Sequence, residues 1–266
     1  MTFLKTKTEK KDRNINQTFL RTKKQNDEKK FNDSALNVFN SIYKFHSSLY
    51  NNELFNFMKI KDCYALTLAN AISNKLSSGN IVAGKENVLP ESFYNEIAET
   101  LLGETQLKEN NDKELCIINL KQTANMMKRG EIILFKNNIP YISENFQNRE
   151  SLYLRLLEAF WNETEWSEIF PSSPKDADKI YEKRNVFAEL LLGFYTEVSI
   201  EDISNDFFEI TGIAEKNNYF MISFLDFYLI TWLNYFGIID YTDKKNRGII
   251  YISLEDYGRE IIKRIV

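Results

Sequence analysis

The sequence predicts a mainly α-helical protein with two small β-hairpins, on the evidence of its glycine and proline content, its apolar periodicity and a repeated order of elements. Nine Gly and four Pro in 266 residues favour helices over the many turns of sandwiches and barrels. Apolar residues form 43% of the chain, enough for a substantial core. Residues 1–34 carry only scattered apolar side chains, so we expect a basic, mobile tail there.

The first half of the remaining chain is predicted to contain helices followed by a hairpin. Pro90 suits the first position of a helix, and Gly130 suits the residue just beyond a helix end. The runs 131–136 and 140–144 predict two strands joined by Asn137, Asn138 and Ile139. The helices expected before this hairpin cover 35–58 (as one or two helices), 63–76, 90–102 and 112–128.

The second half is predicted to repeat this order. Ser199 and Asp202 resemble a capping box at the start of a helix, and Gly237 is placed to end a long helix. A polar turn at 243–248 separates the two expected strands. The predicted helices are 149–161, 175–195, 200–211, 216–236 and 255–266, and the predicted strands are 238–242 and 249–254.

The repeated order carries a resemblance to a known architecture. The stretch WLNYFGIIDYT, a basic turn and IYISLEDYGREII place Leu254, Gly258 and Arg259 in a Leu-Thr-x-x-Gly-Arg pattern common in bacterial winged-helix proteins, with Glu255 at the Thr position. The chain thus resembles tandem winged-helix proteins. Its first half, with MMKRGEIILFKNNIPYISENF and SLYLRLLEAFWNETEW, is similar to uncharacterised bacterial plasmid-associated proteins of this kind. The resemblance implies winged-helix-like domains over 35–147 and 148–266, behind the tail.

The net charge of −4 is unevenly distributed. Residues 1–30 hold 10 Lys and Arg against 4 Asp and Glu, and the other residues hold 24 against 34. A winged helix reads DNA with its third helix in the major groove and touches phosphates with its wing. Such a surface must be polar and positive, because neutralising phosphates supplies most of the affinity.

The 112–128 helix meets this requirement. Its outward face is expected to hold Lys121, Lys128 and Arg129 for phosphates, and Gln122 and Asn125 for adenine edges. The alternative is an ordinary solvated face whose basic end suits the helix dipole.

The wing and the tail offer further cations. The wing turn holds Lys244, Lys245 and Arg247 and suits a phosphate or minor-groove contact, and the tail could follow the DNA backbone. A hairpin tip that simply stays in water and a tail without a partner are equally compatible with the sequence.

The corresponding helix of the second half, 216–236, has a different character. It has no cation after Lys216 and carries Asp226 in its middle, so it would repel phosphate. The segment 219–239 is long enough to span a membrane, but a polar stripe that includes Asp226 predicts a core helix instead. Its apolar surface is wide, which predicts either a central core helix or a helix at an interface. Such an interface would form with a second copy of the chain or between domains. Its predicted residues are Phe220, Phe224, Phe227, Tyr228 and Trp232.

We predict neither a cofactor nor a metal site. The glycines form no phosphate-binding pattern, and His46 is expected to pack among aromatic residues. Cys63 and Cys116 are expected to be free thiols in the core, which fits a reducing compartment. With no secretory signal at the start of the sequence, we expect a cytoplasmic protein.

Five residues form an unusual acidic and aromatic cluster: Glu163, Glu165 and Glu168 with Trp161 and Trp166. Paired carboxylates beside tryptophans occur in sugar-processing sites. We expect instead an exposed loop that docks a basic partner, and no catalytic role.

Two functions remain open at this point. The first is a DNA-associated regulatory or accessory protein, as in transcription regulation, that binds duplex DNA through the first winged-helix unit and the tail. The alternative is an acidic protein-interaction module, an adaptor or assembly protein with no nucleic-acid binding, for which the acidic body argues.

Overall fold

The computed structural model describes residues 63–79, 81–105, 110–146, 148–169, 173–243 and 250–265. These residues are mainly helical and include two small antiparallel sheets, which confirms the predicted fold class at this level. The described residues from Cys63 to Arg264 belong to one compact unit. The tail, the helices expected over 35–58 and His46 lie outside the described residues. The division into domains over 35–147 and 148–266 stays a prediction.

The first half of the described chain contains three helices and a hairpin. A 3₁₀ turn at Lys85–Asn87 precedes the second helix, and the third helix packs against both the first and the second. The predicted bounds of these elements are at most three residues from the observed ones. The elements are α1 (Tyr64–Ser78), α2 (Glu91–Thr105), α3 (Asn110–Arg129), β1 (Ile133–Lys136) and β2 (Ile139–Ile142).

The hairpin turn is tighter than predicted. Lys136 pairs with Ile139, so Ile139 belongs to β2 and only Asn137 and Asn138 form the loop. Both asparagines have positive φ, 53° and 62°, as a type I′ turn requires. Asparagine tolerates this region because its short side chain can hydrogen-bond locally.

Gly130 occupies a different position from the predicted one. The left-handed residue that ends α3 is Glu131, with a φ of 52°. A Cβ atom at Gly130 would lie 2.9 Å from the Cβ of Ala159, so a close contact with a distant helix is what requires glycine there. Arg155 also donates from Nε to the Gly130 carbonyl oxygen at 2.8 Å.

The second half continues with helices and a three-stranded sheet. Its first helix, α4 (Arg149–Glu158), continues into a π-helical turn at Ala159–Glu163. The helix that begins at Ile200 is capped, as predicted, by the Ser199 hydroxyl, which accepts from Asp202 N at 3.0 Å. The remaining elements are α5 (Trp166–Ile169), α6 (Pro174–Gly193), β3 (Val198–Ser199), α7 (Ile200–Thr211), α8 (Tyr219–Leu225), α9 (Thr231–Tyr235), β4 (Ile239–Asp243), β5 (Ile250–Leu254) and α10 (Asp256–Ile265).

Helices α8 and α9 form one continuous helical stretch. A π-helical turn at Asp226–Ile230 joins them, and we refer to residues 219–235 as the aromatic helix. It ends at Gly237, whose φ of 68° confirms the predicted left-handed stop. None of the helices in the described ranges is both long and apolar enough to cross a membrane.

The sheet of the second half has one strand more than the sequence predicted. Its order is β3-β5-β4, and all neighbours are antiparallel. The extra strand, β3, has only two residues: Val198 pairs with Ile252 and Ser199 with Tyr251. A strand this short has no periodicity by which it could be recognised.

Gly258 and Arg259 hold the last helix in place. A Cβ at Gly258 would lie 2.1 Å from the Ile238 carbonyl oxygen, so only glycine allows α10 to approach β4 this closely. Arg259 donates to the carbonyl oxygens of Leu192 at 2.8 Å and Phe194 at 2.6 Å. These contacts satisfy acceptors that the end of α6 leaves open.

The core is centred on the helix α4 and its π-helical turn. Leu152, Leu154, Leu156 and Leu157 are all buried. The Phe160 ring stacks on Trp166, with centroids 5.4 Å apart, and contacts the rings of Trp232 and Phe236. An aromatic cluster thus joins the π-helical turn of α4 to α5 and to the C-terminal end of the aromatic helix.

The expected acidic and aromatic docking loop is therefore wrong. Trp161 and Trp166 are each 1% exposed, so both belong to the core. Glu163 and Glu165 pair with arginines, Glu163 with Arg155 and Glu165 with Arg129. The side chain of Glu168 lies outside the described part.

Candidate interaction surfaces

The polar face of α3 is largely engaged in contacts within the protein. Lys121 Nζ lies 2.8 Å from a carboxylate oxygen of Glu91, and Arg129 lies 3.3 Å from one of Glu165. The side chains of Lys121 and Arg129 are 45% and 38% exposed. Both cations remain accessible, but exposed carboxylates already neutralise them locally.

Gln122 does not face solvent, so its predicted role in reading bases is wrong. It is 4% exposed, and its Oε1 accepts from the Nε1 of Trp232 at 2.9 Å. One turn earlier, Asn119 Nδ2 donates to the Tyr235 hydroxyl at 3.3 Å. The edge of α3 that the helical periodicity placed outside is thus packed against the aromatic helix.

The other predicted nucleic-acid contacts divide between described and undescribed residues. Asn125 and Lys128 are half-buried on α3. Lys244, Lys245 and Arg247 of the wing turn lie outside the described residues. The structure brings Lys121, Asn125, Lys128 and Arg129 together along one helix.

The aromatic helix exposes a stripe of rings to solvent. Tyr219 is 68% exposed, Phe220 62% and Phe227 39%, and Ser223 is exposed between them. We call these four residues the aromatic stripe. Large apolar side chains grouped on one face of a helix are typical of interaction sites.

The five residues predicted as an interface separate into two groups. Phe220 and Phe227 belong to the exposed stripe, and Tyr228 is half-buried. Trp232 and Phe224 are 1% and 7% exposed, so both pack within the chain, as the core-helix alternative predicts, and neither is accessible to a second copy. Ring contacts connect the two groups, because the centroid of the Phe224 ring lies 6.1 Å from that of Phe220 and 4.3 Å from that of Tyr228.

Three polar residues of the aromatic helix, Asp226, Thr231 and Asn234, form hydrogen bonds with residues of β4. Tyr241 donates its hydroxyl to Asp226 Oδ1 at 2.5 Å, and the Thr231 hydroxyl lies 3.1 Å from the same Tyr241 oxygen. Asn234 donates to the Ile239 carbonyl oxygen at 2.9 Å. Burial raises the pKa of Asp226 above its ordinary value, and the hydrogen bond from Tyr241 opposes this rise.

An acidic segment precedes the aromatic helix, and its helix α7 packs against the first part of the aromatic helix. The segment 200–218 contains five exposed acids and a single lysine, Lys216: the acids are Glu201, Asp202, Asp206, Glu209 and Glu215. Asn205 Oδ1 accepts from the Asn217 backbone N–H at 2.7 Å, and Lys216 Nζ lies 2.5 Å from Glu209. These contacts fix the outer side of α7 next to the first turn of the aromatic helix.

The composition of 200–220 could have indicated this surface from the sequence. Acids recur on one side of α7, and two aromatic residues follow immediately after a polar turn. Their exposure could not be inferred, because aromatic residues in a long apolar helix are more often buried.

The buried ionic cluster at the π-helical turn of α4 is a structural feature. The guanidinium of Arg155 donates to Glu158 at 2.8 Å and to both oxygens of Glu163. Desolvation opposes the charge of Arg155, but its hydrogen bonds to the two carboxylates hold its pKa above the ordinary value. The cluster links α3 to α4 through the Gly130 carbonyl.

The two cysteines are buried, Cys63 at 8% exposed and Cys116 at 5%. Burial raises the pKa of the Cys116 thiol, which lowers the fraction of reactive thiolate. Within the described ranges no group of three or more His, Cys, Asp or Glu is arranged to hold a metal ion.

No family model, curated protein or solved structure matches this chain.

Proposed function

We propose that this protein is a protein-interaction module that binds a basic segment with apolar side chains. The binding surface consists of the aromatic stripe and the five exposed acids of the segment 200–218. The observation that carries the proposal is the exposure of Tyr219, Phe220 and Phe227 on one helix face, directly after a segment with five exposed acids.

The aromatic stripe supplies the affinity in this proposal. The exposed fractions of Phe220 and Phe227 together amount to about one whole phenylalanine side chain. Removing that much apolar surface from water is worth about 1.5–3 kcal/mol, or about 10- to 150-fold in affinity. The acids of α7 then select cations in the partner and steer its approach.

We also propose that the second half has a winged-helix arrangement. The order α6, β3, α7, aromatic helix, β4, β5 and the sheet order β3-β5-β4 support this. The aromatic helix then takes the place that a DNA-reading helix has in such proteins. Since its exposed side chains are rings and not cations, this position suits a protein partner better than a phosphate backbone.

Synthetic peptides of defined chemistry test the docking proposal. Fluorescence anisotropy would compare three labelled peptides on the full chain: an amphipathic Lys/Leu peptide, a Lys/Ser peptide of equal charge and a Glu/Leu peptide. We expect binding of the Lys/Leu peptide alone. Affinity should be weaker at about 500 mM than at about 50 mM NaCl, because salt screens the acids.

Variants identify the surface. The double variant Phe220→Ser, Phe227→Ser should bind the Lys/Leu peptide with about 10- to 150-fold lower affinity. The matched control replaces Ile139 and Tyr141 with Ser, since these residues are 54% and 45% exposed on the first hairpin. Equal affinity of the wild type and the aromatic double variant would refute the proposal.

Binding of duplex DNA by α3 is the second candidate. Its support is the set of partly exposed cations on one helix, Lys121, Lys128 and Arg129. Its weakness is that Glu91 and Glu165 pair with two of them and that Gln122 is buried. Gel-shift assays with random duplex at two salt concentrations decide it: salt-sensitive binding that Lys121→Glu, Lys128→Glu and Arg129→Glu abolish together would favour DNA.

A further inference from the structure

One carboxylate belongs to the aromatic helix itself and lies at the edge of the aromatic stripe. Asp226 is half-buried, and its backbone N–H donates to the Ser223 carbonyl oxygen. Ser223, the exposed polar member of the stripe, therefore lies one turn before Asp226. Phe227, which is 39% exposed, follows Asp226 directly. Asp226 is also the first residue of the π-helical turn, an irregularity that helices frequently carry at functional sites.

The two carboxylate oxygens of Asp226 have different surroundings. Oδ1 accepts from the Tyr241 hydroxyl at 2.5 Å, and the Thr231 hydroxyl lies 3.1 Å from the same Tyr241 oxygen. Among the described residues no cation pairs with the Asp226 carboxylate. The buried polar atoms without a partner in the described ranges are Trp161 Nε1, Arg184 Nε and Ser204 Oγ. Asp226 Oδ2 is not one of them, so this second oxygen is open to solvent.

We propose that Asp226 Oδ2 binds the ammonium group of a lysine in the docked partner, and that this contact makes the docking surface prefer lysine to arginine. This inference rests on the proposed docking function. The aromatic stripe then receives the apolar side chains of the partner, and Asp226 fixes the position of one lysine next to them.

The half-buried position makes Asp226 a stronger cation site than the exposed acids of 200–218. Desolvation raises the pKa of Asp226 above its ordinary value, so the negative charge is destabilised in the free protein. An ammonium group compensates for this loss of hydration, and its attraction to the carboxylate is greater where the effective dielectric constant is below that of water. Ion pairs of fully exposed acids contribute little by comparison.

The hydrogen bond from Tyr241 favours lysine over arginine. An arginine guanidinium binds a carboxylate best through two parallel hydrogen bonds, one to each oxygen. Tyr241 already donates to Oδ1, so Oδ2 is the oxygen that remains for a partner. A lysine ammonium is a compact charge that needs only one oxygen, and its apolar stem can pack on the Phe227 ring.

The variant Asp226→Asn tests the site in the full chain by fluorescence anisotropy. The asparagine side-chain oxygen can still accept from Tyr241, so the substitution removes the charge and keeps the shape. We expect this variant to bind the Lys/Leu peptide about 10- to 100-fold less tightly, because interfacial charge pairs with one partly buried member are strongly coupled. The matched control Glu215→Gln removes an exposed acid and should lower the affinity about fivefold at most.

A peptide in which arginine replaces every lysine tests the preference. The ratio of the affinity for the Lys/Leu peptide to that for the Arg/Leu peptide should be about three- to tenfold lower in Asp226→Asn than in the wild type. An unchanged ratio would overturn the preference for lysine. Thermal unfolding of each variant verifies that it is folded, and Asp226→Asn should be at least as stable as the wild type because it removes a desolvated charge.

The peptide measurements separate this inference from the docking function. If the wild type and Asp226→Asn bind the Lys/Leu peptide equally, the docking function stands and the lysine site is overturned. If Asp226→Asn and Glu215→Gln lose the same affinity, the acids act only through their summed charge, and the lysine site is again overturned. If the wild type does not bind the Lys/Leu peptide, the docking function fails and the lysine site fails with it.

Discussion

Replacing Gly258 with alanine should destabilise the protein, although alanine is the better helix former. A Cβ atom at this position would lie 2.1 Å from the carbonyl oxygen of Ile238 and 2.9 Å from its carbonyl carbon. Contacts of a Cβ below 3.0 Å essentially do not occur, so the two backbones must separate by about 1 Å. Helix α10 then moves away from the start of β4.

Two opposing effects set the magnitude. Alanine stabilises a helix interior by about 1 kcal/mol relative to glycine. Overpacking costs about 1–3 kcal/mol, and contact with a rigid backbone lies at the upper end of that range. The free energy of unfolding should therefore fall by about 2 kcal/mol, which lowers the thermal midpoint by about 4–8 °C for a protein of this size.

Urea unfolding followed by far-UV circular dichroism measures this difference. The matched controls are Gly103→Ala and Gly193→Ala, because both glycines lie in helices and a Cβ at either meets no atom within 4 Å. The free energy of unfolding of these two control variants should rise by up to about 1 kcal/mol. If Gly258→Ala is as stable as the wild type, or gains like the controls, the close approach of α10 to β4 is refuted.

Three further predictions concern the cluster, the cap and the buried carboxyl. Arg155→Met should lower the free energy of unfolding by about 3–5 kcal/mol, because the buried Glu158, whose side chain is 4% exposed, loses its cation. Adding Glu158→Met should restore much of this stability, as measured by thermal unfolding. Ser199→Ala should lower the free energy of unfolding by about 1 kcal/mol and Ser199→Thr by less, since a threonine hydroxyl can still cap the helix and donate to the Asp202 carboxylate. Asp226→Asn should stabilise increasingly above about pH 4, because an acid with a raised pKa contributes stability that is lost as it ionises; a constant difference in urea unfolding between about pH 3 and pH 8 would contradict this.

The elements of secondary structure could be predicted because their causes are local. The cap at Ser199, the stop at Gly237 and the apolar spacing of α3 all act within a few residues of the chain. Gly130 shows where such reasoning ends. It looks like a helix stop, yet the residue with positive φ is Glu131, and the need for glycine comes from Ala159 on another helix.

The candidate site was only partly predictable for a related reason. Helical periodicity gives the face on which a side chain lies, but not what covers that face. Gln122 lies at the edge of the polar face of α3, where Trp232 happens to pack. Phe220 and Phe227 lie in the same apolar helix as Trp232 and Leu233, yet the first two side chains are exposed and the last two are buried.

The hydrogen bond between Gln122 and Trp232 has an evolutionary consequence. The two residues are buried together although 110 positions separate them in the chain. A mutation of either one leaves the other's polar group without a partner, at a cost of about 1–3 kcal/mol. If the two halves arose by duplication, they can no longer drift independently: substitutions at position 122 should be accompanied by substitutions at position 232 in descendants of this sequence.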